Sequence, residues 1–115
     1  MKLILLFLLA MILFGCVQNK DLYHYGDVSY RYYKAIKLAD EKSVSDYKAS
    51  LESVFEKSAQ KGLKVPPGLY IDYAMLLIKE HRYEEARAYL AKEAEIWPES
   101  IVTVHLLEQR YGLNR

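Results

Sequence analysis

The chain contains one cysteine, Cys16, and almost no excess charge. One thiol cannot form a disulfide within the chain, so disulfide-stapled folds are excluded. Lys2 is the only charged residue before Cys16, so removal of residues 1–15 leaves 100 residues with 15 Lys and Arg against 15 Asp and Glu. A neutral domain of that length forms one modest core and carries no electrostatic footprint for phosphate backbones. We therefore expect no nucleic-acid partner.

The chain also lacks the groupings of residues that catalysis needs. There is no glycine-rich phosphate loop and no nucleophile elbow, and the histidines, His24, His81 and His105, lie in separate segments. A zinc site needs three or four converging ligands, and Cys16, which could supply a thiolate, lies far in sequence from every histidine but His24. We expect no enzyme, no cofactor, no metal and no small-molecule substrate.

An apolar run near the N-terminus is too short to cross a bilayer comfortably. Twelve apolar residues follow Lys2, from Leu3 to Phe14. Extended to Val17, the run would span about 22 Å as a helix, against roughly 30 Å of hydrocarbon. One cation followed by such a run is typical of a secretory signal, which we assign to residues 1–15.

The residues Leu13, Phe14, Gly15 and Cys16 resemble a lipobox, the recognition sequence of lipoprotein signal peptidase. A small residue before the cut and a thiol after it suit this site, whereas Phe14 is larger than usual. We expect a diacylglycerol and fatty acids such as palmitate on Cys16. Several acyl chains bind a membrane far more strongly than a single acyl chain does. An uncleaved anchor and simple secretion are the alternatives.

The rest of the chain predicts an all-α domain of about five helices at residues 29–115, after a tether at 16–28. Val28, Tyr32, Ala35, Ile36 and Ala39 are spaced as the core face of a first helix. A second helix begins near Ser43 or Ser45, as its cap, and ends at Lys61-Gly62. A linker with two prolines then precedes a central helix over residues 69–79.

Two further helices complete the predicted domain. Tyr83, Ala86, Leu90, Ala94 and Trp97 form an apolar stripe that Pro98 ends, with Glu93 and Glu95 expected on the solvated side. Ser100 can cap a last helix that Gly112 closes.

Residues 67–100 resemble one tetratricopeptide repeat, a pair of helices that cross closely at small residues. Ala74, Tyr83, Ala86 and Pro98 occupy matching positions, whereas His81 replaces the usual turn glycine and Glu93 replaces a small residue. An ordinary helical hairpin is the alternative, because a repeat array usually needs about three units.

Three segments together resemble a family of small proteobacterial lipoproteins of unknown function. They are residues 22–26 (Leu-Tyr-His-Tyr-Gly), 65–69 (Val-Pro-Pro-Gly-Leu) and 97–100 (Trp-Pro-Glu-Ser). The resemblance implies a periplasmic protein of the outer membrane, commonly encoded beside a lipoprotein similar to the curli secretion channel and a third small lipoprotein. Val17, rather than aspartate, after Cys16 also fits outer-membrane sorting.

Eleven tyrosines are the unusual feature of the composition. Tyrosine has an apolar body and a polar tip, which suits an interface or a sugar-stacking surface. Because Tyr32 belongs to the predicted core stripe, Tyr23, Tyr25, Tyr30 and Tyr33 are the candidate partner-binding residues near the anchor. Packing on the domain is the alternative.

A second candidate surface is the groove of the helix pair, with Tyr70, Asp72, Tyr73 and Lys79 as contributors. Burial of Tyr70 and Tyr73 is the alternative. We expect a lipid-anchored adaptor that binds other envelope lipoproteins. The alternative is a cell-wall or glycan binder that uses the tyrosine segment.

Lipidation predicts a specific intact mass for the membrane-extracted protein. The chain should begin at a triacylated Cys16, because the signal is removed after the thiol is modified, and a Cys16→Ser variant should remain unprocessed. Mass spectrometry of both proteins checks this expectation. An unlipidated chain that retains Met1 would favour the uncleaved anchor.

Overall fold

The fold is all-helical, as the sequence predicts, in a computed structural model that describes residues 1–4 and 20–114. The lipobox residues Leu13, Phe14, Gly15 and Cys16 lie outside the described residues. Between residues 20 and 114 there is no strand, and the helices are α1 (Val28–Leu38), α2 (Glu41–Gln60), α3 (Leu69–Lys79), α4 (Tyr83–Ile96), a 3-10 turn (Pro98–Ser100) and α5 (Ile101–Tyr111).

Helices α1 and α2 form a first hairpin. Ala39 ends α1 in the left-handed region at φ 51°, and its N–H donates to the Ala35 carbonyl. The prediction that Ser43 or Ser45 caps α2 is wrong, because Asp40 accepts from the Ser43 N–H at 2.7 Å and the helix begins at Glu41. Ser43 instead donates its hydroxyl to the Asp40 carbonyl at 3.0 Å.

Helices α3 and α4 form a second hairpin, reached through the predicted proline-containing linker. Gly62 has φ +64° directly after α2, so the predicted stop at Lys61-Gly62 is confirmed. The bounds of α3 match the predicted central helix. His81, in the turn between α3 and α4, has φ +61°, which explains why glycine suits this position in helical hairpins.

The core is centred on α3, as its apolar sequence predicts. The buried cluster takes residues from each of the five α-helices between residues 20 and 114, with one more just after α5: Val28, Tyr47, Leu51, Val54, Tyr73, Ala74, Leu76, Leu77, Ile78, Ala86, Leu90, Val104 and Leu113. Ala74 on α3 and Ala86 on α4 are fully buried. Their small side chains let these two helices approach closely.

The predicted core face of α1 is largely wrong. Val28 is buried, but Tyr32, Ile36 and Ala39 are exposed. The reason is that α1 packs mainly against α2 alone, and a helix covered by one neighbour buries only a narrow strip. Much of the apolar surface of α1 therefore faces solvent.

Glu93 is the second correction, because it is fully buried rather than solvated. Its Oε1 accepts from the Gly68 N–H at 2.7 Å and from the Ser100 hydroxyl at 3.0 Å. These two donors lie at the starts of α3 and α5, so one carboxylate joins both to α4. Ser100 makes no side-chain cap of α5, since its hydroxyl is used here.

Replacement of Glu93 should reveal how much these two hydrogen bonds stabilise the fold. Glu93→Ala should lower the free energy of unfolding by about 2–5 kcal/mol, because it leaves the Gly68 N–H unsatisfied and a cavity behind. Glu93→Gln should cost clearly less, since its side-chain oxygen can still accept both bonds without carrying a charge. Urea unfolding followed by circular dichroism measures both, and equal losses would contradict the assignment.

Candidate functional site

The candidate site that contains residues predicted from the sequence is a pocket where the N-terminal segment meets α1, α2 and α3. Its volume is about 170 Å³. Three tyrosines and one carboxylate give it its chemistry, and the full lining is Tyr25, Val28, Ser29, Tyr32, Tyr47, Leu69 and Asp72. We call it the tyrosine–aspartate pocket.

Asp72 supplies the charge of this pocket. The Tyr47 hydroxyl donates to Asp72 Oδ2 at 2.8 Å. Burial raises the pKa of Asp72, and the Tyr47 hydrogen bond opposes that rise only in part. Burial, followed by the hydrogen bond to Asp72, also raises the pKa of Tyr47, so this hydroxyl remains a donor at neutral pH. Asp72 lies in the first turn of α3, where a helix favours negative charge.

The tyrosine walls are held by contacts from two directions. The Tyr32 and Tyr47 rings lie 5.4 Å apart at an interplanar angle of 58°. Tyr25 is half exposed, and its ring meets the Tyr23 ring edge-on at 5.9 Å. Tyr23 in turn packs on Trp97 at 6.0 Å, while the Trp97 indole N–H donates to the Val65 carbonyl at 3.0 Å. The N-terminal segment is therefore packed on the domain at Tyr23.

The outward face of α1 forms a second surface beside the pocket. Tyr30 and Tyr33 are 54% and 56% exposed. Lys34 lies over the Tyr30 ring at 5.2 Å, and Lys37 lies over the Tyr33 ring at 5.5 Å. Ile36 and Leu38 add exposed apolar area on the same helix. We call Tyr30, Tyr33, Ile36 and Leu38 the outer face of α1.

The groove residues predicted on α3 divide between two places. Tyr70 and Tyr73 join an aromatic cluster with Phe55 and Tyr89, in which the Tyr73 and Tyr89 rings are 4.6 Å apart. Tyr73 is only 5% exposed, so it offers little surface to a partner. Its hydroxyl donates to Glu52 at 2.5 Å. Asp72, between them in sequence, faces the tyrosine–aspartate pocket instead.

The structure thus brings together two of the predicted binding residues, Tyr25 and Asp72, which are far apart in sequence. Sequence reasoning missed Tyr32, which was assigned to the core face of the first helix, and it did not single out Tyr47 as a binding residue. It also missed the contact between Trp97 and the N-terminal segment. Tyr47 and Asp72 lie on different helices, so no sequence spacing could have predicted the hydrogen bond between them.

The three histidines each have a different local partner. His24 lies 3.1 Å from the Lys61 amine, His81 lies 2.9 Å from the Tyr83 hydroxyl, and His105 lies 3.2 Å from Glu108. Among residues 1–4 and 20–114, no three His, Cys, Asp or Glu side chains are grouped so as to hold a metal ion. Within the same ranges, no helix has both the length and the apolarity to cross a membrane.

Ionisation of Asp72 should make stability depend on pH with a recognisable sign. Its pKa is raised on folding, so the folded state keeps the proton longer than the unfolded state does. The contribution of this group to stability is therefore highest below about pH 4 and is lost as pH rises through the folded pKa. Asp72→Asn does not titrate, so its stability relative to the native chain should increase from pH 4 to pH 7.

Asp46 provides a control of opposite sign. A hydrogen bond from Lys42, aided by the charges of Lys42 and Arg31, lowers the pKa of Asp46 despite some opposing desolvation. The relative stability of Asp46→Asn should therefore fall as pH rises from about 2 to about 5, the range in which the folded state loses this proton before the unfolded state does. Denaturant unfolding across both pH ranges measures the two trends, and a fall for Asp72→Asn as well would refute the pKa assignment of Asp72.

Comparisons with known proteins identify a family but no activity. No curated protein and no solved structure gives a significant match to this chain. Residues 22–107 match the family described as a domain of unknown function, DUF4810. This match contains all three segments on which the family resemblance was based, together with the tyrosine–aspartate pocket. The chain therefore belongs to the DUF4810 family.

Proposed function

We propose that the protein is a lipid-anchored adaptor of the cell envelope, attached at Cys16 to the periplasmic side of the outer membrane. Its activity is to hold partner lipoproteins in an envelope assembly. The signal-like N-terminus, the lipobox and the net-neutral domain support the anchoring. The family resemblance supports the placement and the kind of partner.

The observation that carries the binding role is the outer face of α1. Four large apolar or aromatic side chains, Tyr30, Tyr33, Ile36 and Leu38, are more than half exposed on one helix of eleven residues. Aromatic residues are enriched at protein interfaces, where they bury much area with little loss of side-chain entropy. Among the α-helices between residues 20 and 114, this helix is also the nearest in sequence to the proposed anchor.

The second hairpin supports the same role. Helices α3 and α4 are joined through a left-handed residue, His81, and both Ala74 and Ala86 are fully buried. This arrangement resembles one tetratricopeptide unit, and proteins built from such units bind other proteins. We assign the hairpin a supporting role, because its α3 tyrosines are partly or wholly buried by the aromatic cluster.

The tyrosine segment also favours a second candidate, a glycan-binding lipoprotein. Tyr25 presents a half-exposed ring whose position is supported by Tyr23, an arrangement that suits stacking against a sugar. Binding of the protein to isolated cell-wall sacculi that is lost in Tyr23→Ala/Tyr25→Ala would support this candidate over the adaptor.

Removal of the exposed α1 rings should abolish partner capture without unfolding the protein. In cells treated with formaldehyde, the native chain should co-purify with specific envelope lipoproteins, and Tyr30→Ser/Tyr33→Ser should lose most of them. The free energy of unfolding should change by less than about 1 kcal/mol, because both side chains are exposed. Quantitative mass spectrometry of the captured proteins provides the measurement.

Tyr83→Ser is the matched control, because Tyr83 is another exposed tyrosine but lies at the start of α4. It should leave capture unchanged. A native chain that captures no envelope protein and stays monomeric would refute the adaptor role, and equal losses in both variants would refute the assignment to α1.

A further inference from the structure

The tyrosine–aspartate pocket contains a negative charge that the fold leaves without a positive partner. Within residues 1–4 and 20–114, Asp72 accepts one hydrogen bond, from Tyr47, and forms no ion pair. A partly desolvated carboxylate gains most from a cation that approaches it within the pocket, where water screens the attraction less. The pocket therefore favours a positively charged group.

The tyrosine rings favour the same kind of group. A cation over an aromatic face is attracted by the ring quadrupole, and cages of several rings bind alkylammonium groups. Elsewhere in the domain, lysines already lie over tyrosines, as Lys34 does over Tyr30 and Lys92 over Tyr89. No lysine or arginine among the described residues lies over Tyr25 or Tyr32, and both of these side chains are 49% exposed, so a ligand can reach their rings. Tyr47 is only 5% exposed, and it contributes to the pocket chiefly through the hydroxyl bonded to Asp72.

The size of the pocket limits what can enter it. Sites for drug-sized ligands usually measure about 300–1,000 Å³, whereas this pocket measures about 170 Å³. A single slender side chain fits such a volume, and a linear alkyl chain can follow the apolar wall formed by Val28 and Leu69. A guanidinium is broader and planar, and it suits a carboxylate with two free oxygens rather than one already bonded to Tyr47.

We infer that the tyrosine–aspartate pocket binds the ammonium end of a lysine side chain that a partner protein of the envelope inserts beside the exposed rings of Tyr25 and Tyr32 to reach Asp72. The identity of the partner as an envelope protein rests on the proposed function, whereas the preference of the pocket for an alkylammonium group does not. Amino lipids and cell-wall peptides also carry amines, and the second experiment below separates these sources from lysine.

The first experiment titrates the whole chain, held in detergent micelles, with n-butylammonium as a copy of the lysine side chain. Nuclear magnetic resonance should detect saturable shifts at Tyr25, Tyr32 and Tyr47, with a dissociation constant on the order of millimolar for so small a ligand. Neutral n-butanol tests whether the charge matters, and its binding should be at least about tenfold weaker.

Asp72→Asn separates binding from folding, because it keeps an oxygen that can accept from Tyr47 while removing the charge. It should weaken n-butylammonium binding about tenfold or more, with the spectrum of the folded chain otherwise retained. Glu52→Gln is the matched control, since Glu52 also accepts from a tyrosine, Tyr73, but lies outside the pocket. Equal affinity for butanol and butylammonium, or equal effects of both variants, would overturn the inference.

The second experiment identifies the source of the amine in isolated envelopes. A carbodiimide joins a carboxylate to an amine in contact with it, so a peptide containing Asp72 should be recovered linked to a lysine of another protein. Asp72→Asn should abolish this product, and Glu52→Gln should not. Recovery of Asp72 linked only to an amino lipid, to a wall peptide or to nothing would overturn the assignment to a protein lysine.

The two experiments also distinguish this inference from the proposed function. If the α1 variants lose partner capture while n-butylammonium fails to bind, the adaptor role stands and the pocket inference is wrong. If n-butylammonium binds through Asp72 but no envelope protein is captured or linked, the pocket has the stated chemistry and the adaptor role is wrong.

Discussion

The hydrogen bonds of the buried Glu93 carboxylate are the constraint on which the placement of the other elements depends. Through Gly68 it fixes the start of α3, and through Ser100 it fixes the start of α5. Asp72 lies one turn into α3, and its N–H donates to the Gly68 carbonyl, so the position of the pocket carboxylate follows from the bond that Glu93 makes at Gly68. One oxygen of the fully buried Glu93 side chain accepts both hydrogen bonds, whereas the other has no partner among the described residues, so burying it carries a desolvation cost.

The same end of α4 also determines where the N-terminal segment lies. Trp97 is held by its bond to the Val65 carbonyl, and Tyr23 packs on its ring. Tyr25 then reaches the pocket two residues later. Asp72 and Tyr25 therefore reach the pocket from different parts of the chain. Both positions depend on contacts between the linker and the C-terminal end of α4. The pocket is a product of tertiary packing rather than of any local motif.

This origin explains what could be predicted from the sequence. Helix ends were predictable where a local signal exists, as at Gly62 and along the apolar run of α3, because backbone geometry and apolarity act over few residues. The burial of Glu93 and the exposure of Tyr32 were not, because each depends on which helix lies opposite. The pocket was half predictable: Tyr25 and Asp72 were recognisable as polar or aromatic residues in unusual positions, but the hydrogen bond that joins Asp72 to Tyr47 spans two helices.

The packing of Tyr23 on Trp97 sets the reach of the whole domain. For a chain attached to lipid at Cys16, the distance from the anchor to the packed domain is set by the residues up to Tyr23 and not by those up to the start of α1. Seven residues, fully extended, cover at most about 25 Å. The attachment point of the domain at Tyr23 would therefore stay within about 25 Å of the bilayer surface. At that distance the search for a partner anchored in the same way is effectively two-dimensional, so even a weak contact on one helix face would be occupied much of the time.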